Sequence, residues 1–242
     1  MITSKQNDFI KQIKSLSDKK YRDRLNLYVA LGIKLTREAI ASSQEVVSVV
    51  CTPEASDILG ELPIQKTLVS PEVFASLSEE KSPQGALAVI KKPTNEICKP
   101  KGSCIFLDGV SDSGNVGAII RTAVASGYTD VYLADCADAY SPKSVRASMS
   151  GIYSVRTHIG SRDELLPYID LPICVADMFG QNVFDSKIPS DFCLVIGNEA
   201  HGVSEQLKKI ADYTVKIPMQ SGIESLNAAV SAGILMYALK KQ

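Results

Sequence analysis

The sequence predicts an α/β protein whose larger part is a mostly parallel sheet with helices on both faces. Two patterns predict it: short apolar runs of strand type recur from residue 103 onward, and helical stretches separate them. The composition agrees, since 242 residues that are 45% hydrophobic and 22% charged suit one large or two modest globular domains. The chain therefore has enough apolar residues to build a sizeable core.

The first 92 residues are interpreted as a small α/β domain. Apolar periodicity predicts helices over Lys5–Leu16 and Ile33–Ser42, and β-branched residues predict a strand over 45–52. A helix over 70–78 and a strand over 85–92 follow. Residues 93–102 contain two prolines and several charges without apolar periodicity, which indicates a linker before a second domain at 103–242.

The second domain alternates strands and helices, as expected for a parallel sheet. Helices are predicted over 114–127 and 141–151. Ligands bind at the carboxyl ends of the strands in such sheets, so polar residues there are candidate site residues. The predicted strands are 104–108, 130–135, 153–160, 172–177, 192–197 and 213–218.

The last helix raises a separate question, because polar groups gather where it begins. Ser225 and Asn227 lie there beside free backbone N–H groups, an arrangement that can hold polar ligand atoms. Helical spacing from Leu226 predicts one face buried in the core, formed by Ala229, Val230, Gly233, Ile234, Tyr237 and Ala238.

Charge is unevenly distributed, although the net charge is only −1. Residues 1–40 hold nine Lys and Arg against four acids, with Tyr21 and Tyr28 between them. This composition favours a phosphate-contacting patch, and a solvated helix face is the alternative. The candidate phosphate contacts in this patch are Lys19, Lys20, Arg22 and Arg24.

Several classes of protein are disfavoured. No run reaches the roughly 18 apolar residues of a membrane span, and the N-terminus lacks a signal-peptide core, so we expect a cytoplasmic protein without membrane association. The six cysteines are scattered, which favours reduced thiols. These cysteines and the two histidines, His158 and His201, lack metal-ligand spacing, so no metal site is predicted.

Two further polar clusters follow predicted strands. In the first, Gly114 and Gly117 surround Asn115, but G-x-x-G is not the glycine fingerprint of a nicotinamide-dependent oxidoreductase. Arg121 lies in an apolar run, so it must either face a pocket or pair with an acid such as Glu199. The second cluster holds Asn198, Glu199 and His201, and without a G-x-S-x-G elbow it does not indicate a hydrolase.

Three ordered motifs resemble those of the SpoU/TrmH family of RNA ribose 2′-O-methyltransferases. They are NVGAIIRTA at 115–123, LVIGNEAHGVS at 194–204 and IPMQSGIESLNAAVSAGI at 217–234. The N-terminal module resembles, more weakly, the substrate-binding domain of that family, which has an L30e-like fold. Two residues depart from the family pattern: Leu31 stands where relatives often carry Glu, and Ser113 where a Pro is common.

The resemblance implies a C-terminal deep trefoil knot, from about Phe192 to the end, that binds S-adenosylmethionine and forms a homodimer. It implies that Ala228, Ala229, Ser231, Ala232 and Gly233 allow close approach of helices at that dimer interface. The implied cofactor-binding residues are Gly197, Asn198, Glu199, Gly202, Ile217, Pro218, Met219, Ser225, Leu226 and Asn227.

The implied chemistry is attack of a ribose 2′-oxygen on a sulfonium methyl, without a metal. Arg121 either activates the hydroxyl or binds phosphate and stabilises an alkoxide, and the second role suits a guanidinium better. The added N-terminal module favours ribosomal over transfer RNA, and an inactive RNA-binding or assembly protein is the alternative of another class. The implied catalytic residues are Arg121, Asn115, Glu199, Ser225 and Asn227, with Arg121 also counted among the RNA contacts.

Overall fold

The computed structural model describes residues 1–42, 44–221 and 225–240. Residues 222–224, which belong to the third motif, lie outside the described residues. The chain divides into two compact units. The first contains Met1–Pro93 and Asp138–Tyr153, and the second contains Thr94–Ala137 and Ser154–Gln242.

The first unit is built on a four-stranded sheet of order β1-β4-β2-β3, in which β4 runs antiparallel to both of its neighbours. The predicted helices α1, α3 and α5 and strands β2 and β4 are confirmed, whereas α2, β1, α4 and β3 were not predicted. The elements are α1 (Asp8–Ser15), α2 (Lys19–Leu25), β1 (Leu27–Leu31), α3 (Ile33–Ala41), β2 (Val46–Cys51), α4 (Pro53–Leu59), β3 (Lys66–Leu68), α5 (Pro71–Ala75) and β4 (Ala86–Lys91).

The second unit contains a six-stranded sheet in which every pair of neighbouring strands is parallel, in the order β10-β8-β9-β5-β6-β7. All six predicted strands are confirmed. From residue 104 the elements are β5 (Cys104–Asp108), α6 (Ser113–Ala125), β6 (Asp130–Ala134), α7 (Pro142–Ser148), β7 (Arg156–Gly160), α8 (Arg162–Leu165), β8 (Ile173–Asn182), β9 (Cys193–Gly197), α9 (Glu205–Lys209), β10 (Tyr213–Lys216) and α10 (Ala228–Leu239), with 3-10 turns at Met149–Tyr153 and Leu166–Tyr168.

Helices cover both faces of the parallel sheet, as predicted. Phe106 points to one face and packs in a buried cluster with Leu165 of α8 and Leu207 of α9. Ile105 and Leu107 alternate to the other face and are also fully buried. There α6 and α10 pack against each other, and α10 also contacts β9. None of the described helices is both long and apolar enough to cross a membrane.

The face of α10 that was predicted to be buried is instead the outward one. Val230 is 51% exposed and Tyr237 is 54% exposed, and Gly233 and Ile234 between them are partly exposed. The prediction was wrong because the helix is small or apolar all round, so periodicity alone could not select the core-facing side. The buried residues are Ala228, Ala232, Leu235, Met236 and Leu239.

The segment predicted as a linker is fastened to the second unit along its edge strand, β7. The Asn95 side chain donates to the carbonyl of Ile159 at 2.7 Å and accepts from its N–H at 2.9 Å. His158 lies 2.9 Å from the Glu96 carbonyl, and the Tyr132 hydroxyl donates to the Cys98 carbonyl at 2.6 Å. Composition indicated a connection without regular structure, but it could not show these hydrogen bonds.

Helix α7 belongs with the first unit, although it lies far along the sequence. It contacts β1, and Tyr140 just before it packs against Tyr28 with tilted rings, 5.0 Å between the ring centroids. Asp138 forms an ion pair with Arg22 at 2.7 Å, and both side chains are buried. The sequence prediction had assigned this whole stretch to the second domain.

Candidate active site

A cavity of about 400 Å³ opens at the carboxyl ends of β8, β9 and β10 in the second unit. This is the end of a parallel sheet at which ligands are expected. Its wall combines the end of β9 and the following turn with residues after β10 and the start of α10. The lining residues are Ala176–Phe179, Ile196–Gly202, Lys208, Val215–Ile217, Met219, Ser225, Leu226, Ala228, Ser231 and Leu235.

Eight of the ten implied cofactor residues line this cavity. Pro218 and Asn227 are not among the lining residues. Asn227 is the N-cap of α10, and its side-chain oxygen accepts from the N–H groups of Ala229 and Val230 at 2.9 and 3.2 Å. The eight that line the cavity are Gly197, Asn198, Glu199, Gly202, Ile217, Met219, Ser225 and Leu226.

Glu199 connects the first and second motifs through its two carboxylate oxygens. Oε2 accepts from the N–H and the hydroxyl of Ser111 at 3.1 and 3.0 Å. Oε1 accepts from the N–H of Asp112 at 3.3 Å and from Nδ2 of Asn115 at 2.8 Å. Asn115 in turn accepts from Nδ2 of Asn227 at 2.9 Å, so residues from all three motifs form one hydrogen-bonded chain.

This network fixes the charge of Glu199. Partial burial alone would raise the pKa of the carboxyl, but the hydrogen bonds from Asn115 and Ser111 outweigh it and lower the pKa to about 2. Glu199 is therefore ionised at neutral pH. Its oxygens accept from several donors, which makes it an organiser of the loop after β5 rather than a free base.

The turn after β9 depends on two glycines. A Cβ at Gly197 would lie 2.5 Å from the backbone oxygen of Gly202, so the backbone of the turn occupies the space of a side chain. Gly202 has a φ of +69°, a left-handed conformation that glycine adopts readily. Asn198 closes the turn, since its side-chain oxygen accepts from the N–H groups of Ala200 and His201 and its amide donates to the Gly109 carbonyl at 2.7 Å.

Arg121 is exposed on α6 and does not line the cavity. Within the described parts of the chain it forms no ion pair or hydrogen bond, so the predicted alternative of a buried pair with Glu199 is wrong. Glu199 is instead engaged by Ser111 and Asn115. Arg121 lies six residues beyond Asn115, which is about 9 Å along the helix axis and on a different face.

The basic patch of the first unit is only partly available for phosphate. Lys20 and Arg24 are exposed on α2, and the Arg24 guanidinium lies over the Tyr21 ring at 4.7 Å. Lys19 is also exposed, although it pairs with Asp23 at 2.9 Å.

The prediction of Arg22 as an RNA contact is wrong. The side chain of Arg22 is 3% exposed, and besides its ion pair with Asp138 it donates to the carbonyls of Leu16 and Ser17 at 2.8 and 2.7 Å. A guanidinium with these partners holds the fold of the first unit together and has no free donor face for a phosphate.

Sequence reasoning missed the contribution of β8 to the cavity. This strand runs to Asn182, beyond the predicted end at residue 177, and it places Asp177, Met178 and Phe179 in the cavity wall. Asp177 pairs with Lys208 of α9 at 3.0 Å. No motif marks these residues, and the only signal in the sequence was a Met-Phe pair directly after the predicted strand.

A buried carboxylate at the end of β5 was also missed. Asp108 is 1% exposed, and it accepts from the side chain of Arg162 and, at 2.7 Å, from the N–H of Ser204 before α9. Arg162 also pairs with Asp135 at 2.7 Å. This cluster positions the loop ends around the site. No group of three or more His, Cys, Asp or Glu suited to a metal ion occurs among the described residues.

Comparison with known proteins gives these residues a family context. Residues 102–237 match the SpoU rRNA Methylase family, and residues 7–88 match an MRM3-like substrate binding domain. The chain is 32% identical over 250 residues to the 23S rRNA (guanosine(2553)-2′-O)-methyltransferase RlmP of Bacillus subtilis, covering 99% of this chain and 98% of the relative. It is 28% identical to a 23S rRNA (uridine(2479)-2′-O)-methyltransferase of Streptomyces viridochromogenes, covering 100% of this chain and 92% of that protein.

Solved structures agree in fold over nearly the whole chain. The SpoU methyltransferase AviRb from Streptomyces viridochromogenes, solved in complex with AdoMet, matches with a TM-score of 0.88 and 25% identity over 97% of both chains. The family match covers more than half of the sequence, and the Bacillus relative covers almost all of it. This chain belongs to the SpoU rRNA methylase family.

Proposed function

We propose that this protein transfers a methyl group from S-adenosylmethionine to the ribose 2′-hydroxyl of a nucleotide in ribosomal RNA. One observation carries the proposal: residues of the second and third motifs, distant in sequence, converge on one cavity at the carboxyl ends of the parallel strands. The curated relatives described above are 23S rRNA 2′-O-methyltransferases, which favours ribosomal over transfer RNA and a cytoplasmic location.

The cavity suits S-adenosylmethionine in size and chemistry. Its volume of about 400 Å³ lies within the range of small-ligand sites. Ile217, Leu226 and Leu235 provide apolar surface for an adenine ring, and Asn198 and Ser225 offer polar groups for a ribose and an amino acid. When bound, the cofactor supplies a sulfonium methyl group that a ribose oxygen can attack.

The protein residues position and polarise the reactants. Asn115, Glu199 and Asn227 hold the loop after β5 against the start of α10, so the three motifs keep a fixed geometry. Arg121 offers an exposed guanidinium on α6 that has no ion-pair partner among the described residues. We assign it to the phosphate of the target nucleotide and to the developing alkoxide, because a guanidinium keeps its proton at neutral pH and is a poor proton acceptor.

We further propose that the C-terminal segment forms a deep trefoil knot. The path of the chain supports it: β10 is an edge strand, yet α10 returns to the middle of the sheet and packs on α6 and β9. The first unit, a four-stranded sheet with helices, is proposed to be an L30e-like RNA-binding domain, for which Lys19, Lys20 and Arg24 provide exposed cations.

A homodimer through α10 completes the proposal. Val230, Gly233, Ile234 and Tyr237 form an apolar stripe that faces outward in the single chain. A helix that is apolar all round is normally buried on all sides. A second copy of the chain would cover this stripe and bring two small-residue helices close together.

Two measurements test the function. Calorimetry should detect binding of S-adenosylmethionine and none of nicotinamide cofactors, and mapping should find one 2′-O-methylation missing from ribosomal RNA of cells that lack this gene. The purified protein should then restore that methyl group in vitro. RNA binding without methyl transfer, in a protein that binds the cofactor, would support an inactive assembly protein instead.

A further inference from the structure

The mouth of the cavity carries an aromatic side chain to which the proposed function gives no role. Phe179 of β8 lines the cavity, yet it is 87% exposed. Large apolar side chains this exposed contribute little to a core, and those beside a cavity mark surfaces that bind a partner. Its neighbour Met178 is also exposed and lines the same cavity.

Asp177, which forms an ion pair with Lys208, holds the backbone N–H of Phe179 in place. The Phe179 N–H donates to Oδ1 of Asp177 at 3.0 Å. The other oxygen of Asp177 pairs with Lys208 at 3.0 Å. The Asp177 side chain is only 14% exposed, so the carboxylate that holds this N–H is itself largely buried.

On the other side of Phe179, β8 returns to its pairing with β10. A Cβ at Gly180 would lie 2.5 Å from the backbone nitrogen of Val215, so β10 passes directly against the residue after the ring. The next two residues of β8 pair with Val215 and Lys216 of β10. Thr214, the residue before Val215, pairs with Val175, so residues 176–180 form a bulge of β8 between paired positions. The phenyl ring is therefore presented by a bulge that strand pairing anchors at both ends.

A lysine of β10, Lys216, lines the same cavity as Phe179. Lys216 is exposed and pairs in register with Asn182, three residues after Phe179. Lys216 has no ion-pair partner in the portion of the chain that the structure describes. An exposed aromatic ring with an unpaired lysine beside it is the combination that proteins use to bind unpaired nucleotides.

We propose that Phe179 stacks on a base of the RNA substrate at the mouth of the cofactor cavity and that Lys216 contacts an adjacent phosphate. The inference rests on the proposed function and names a substrate subsite of the same site. A stacked base must be unpaired, so the subsite selects a nucleotide in a loop or one displaced from a helix. Neither residue belongs to the three sequence motifs.

The test uses deproteinised 23S rRNA from cells that lack this gene, with filter binding as the readout. Phe179→Ala should weaken RNA binding about 5- to 150-fold, the range expected for one stacked base, whereas Phe179→Tyr should stay within about threefold of wild type. Phe184→Ala is the matched control, because Phe184 is 64% exposed but does not line the cavity. It should bind RNA like the wild type.

The salt dependence of RNA affinity distinguishes a phosphate contact by Lys216 from base stacking by Phe179. Lys216→Ala should lower the slope of log affinity against log salt by about 0.7, the value for one phosphate of a single strand, while Phe179→Ala should leave the slope unchanged. Lys187→Ala is the control for Lys216, since Lys187 is exposed and lies outside the cavity. Its slope should match that of the wild type.

Three results would overturn the proposal. They are unchanged RNA affinity in Phe179→Ala, an equal loss in Phe184→Ala, and a loss of S-adenosylmethionine affinity in Phe179→Ala that would assign the ring to the cofactor. RNA binding is measured without methyl transfer, so the subsite can fail while the methyltransferase function stands. Absence of methyl transfer by the wild-type protein would refute the function, whereas the stacking role is decided by the RNA affinities of Phe179→Ala and Phe184→Ala.

Discussion

Single residues determine the geometry of the site, and Glu199 does so through the donors that surround it. Glu199→Gln keeps the shape but replaces one acceptor oxygen by an NH₂ group that faces donors from Ser111 or Asn115. We expect a loss of roughly 1–2 kcal/mol in the free energy of unfolding at pH 7, measured by urea denaturation. Glu205→Gln is the control, because Glu205 is 80% exposed and should change little.

The lowered pKa of Glu199 predicts how the free energy of unfolding depends on pH. The pKa of Glu199 is lowered to about 2 in the folded chain, below the value of about 4.3 for an unfolded glutamate. Its ionised form therefore stabilises the fold above about pH 4.3, and this stabilisation is lost as the pH falls toward 2. The difference between wild type and Glu199→Gln should shrink from pH 5 to pH 2, and a constant difference would contradict the assigned charge.

Arg121 should affect rate without affecting stability. Because it is exposed and unpaired in the described part of the chain, Arg121→Lys and Arg121→Ala should melt close to the wild type. Lysine keeps the charge but loses the planar fork, so single-turnover methyl transfer should fall by orders of magnitude in both variants, with cofactor affinity retained. Retained activity per folded molecule in Arg121→Lys would remove Arg121 from the catalytic residues.

At the scale of elements, helix α2 holds one buried and one exposed arginine, and we expect only the buried one to matter for stability. Arg22→Ala should cost roughly 3–5 kcal/mol of stability, because it leaves Asp138 buried and unpaired. Arg24→Ala, on the exposed face, should leave the melting temperature nearly unchanged. Equal melting of the two variants would contradict the buried pair.

We expect the exposed cations of α2 to contribute to RNA binding and not to stability. Changing Lys19, Lys20 and Arg24 together to Ala should weaken binding to 23S rRNA and flatten its salt dependence by up to about 0.9 per lost contact. Cofactor affinity, measured by calorimetry, should not change. An unaltered salt slope would make the patch a solvated helix face.

Helix α10 carries the prediction about assembly. Val230→Asp and Tyr237→Asp each place a charge in the outward apolar stripe, so both should convert the proposed dimer to a monomer in light scattering. Ile58→Asp is a matched control, because Ile58 of α4 is 51% exposed and lies on the other unit. A wild-type protein that is monomeric at micromolar concentration would refute the dimer.

These elements also show which parts of the structure could be predicted from the sequence. The six strands of the parallel sheet were predicted because each is a short apolar run between turns, and the motifs located most of the cavity wall. Helix α2 was missed because KKYRDRL has no apolar periodicity, and the orientation of α10 was reversed because all its faces are apolar. The role of β8 depends on long-range strand pairing, which no local pattern encodes.

At the scale of the whole molecule, the division of the chain into units differs from its order in sequence. Residues 138–153 lie within the stretch that matches the SpoU family, yet they pack with the first unit. Asp138 pairs with Arg22 there, and the buried Val145 and Ile152 belong to the same segment. A cut after Pro93 would therefore remove part of the first unit.

This arrangement makes the isolated fragment 1–93 less stable than the same fragment joined to residues 138–153 by a flexible Gly-Ser linker. Without the segment, Arg22 is left buried without its acid and β1 loses the contact with α7. We expect the fused form to gain more than about 3 kcal/mol in the free energy of unfolding. The fused form with Asp138→Asn should lose much of that gain, because the apolar packing of α7 remains but Arg22 stays uncompensated. Equal urea midpoints for the fragment and the fused form would show that the first unit ends at Pro93.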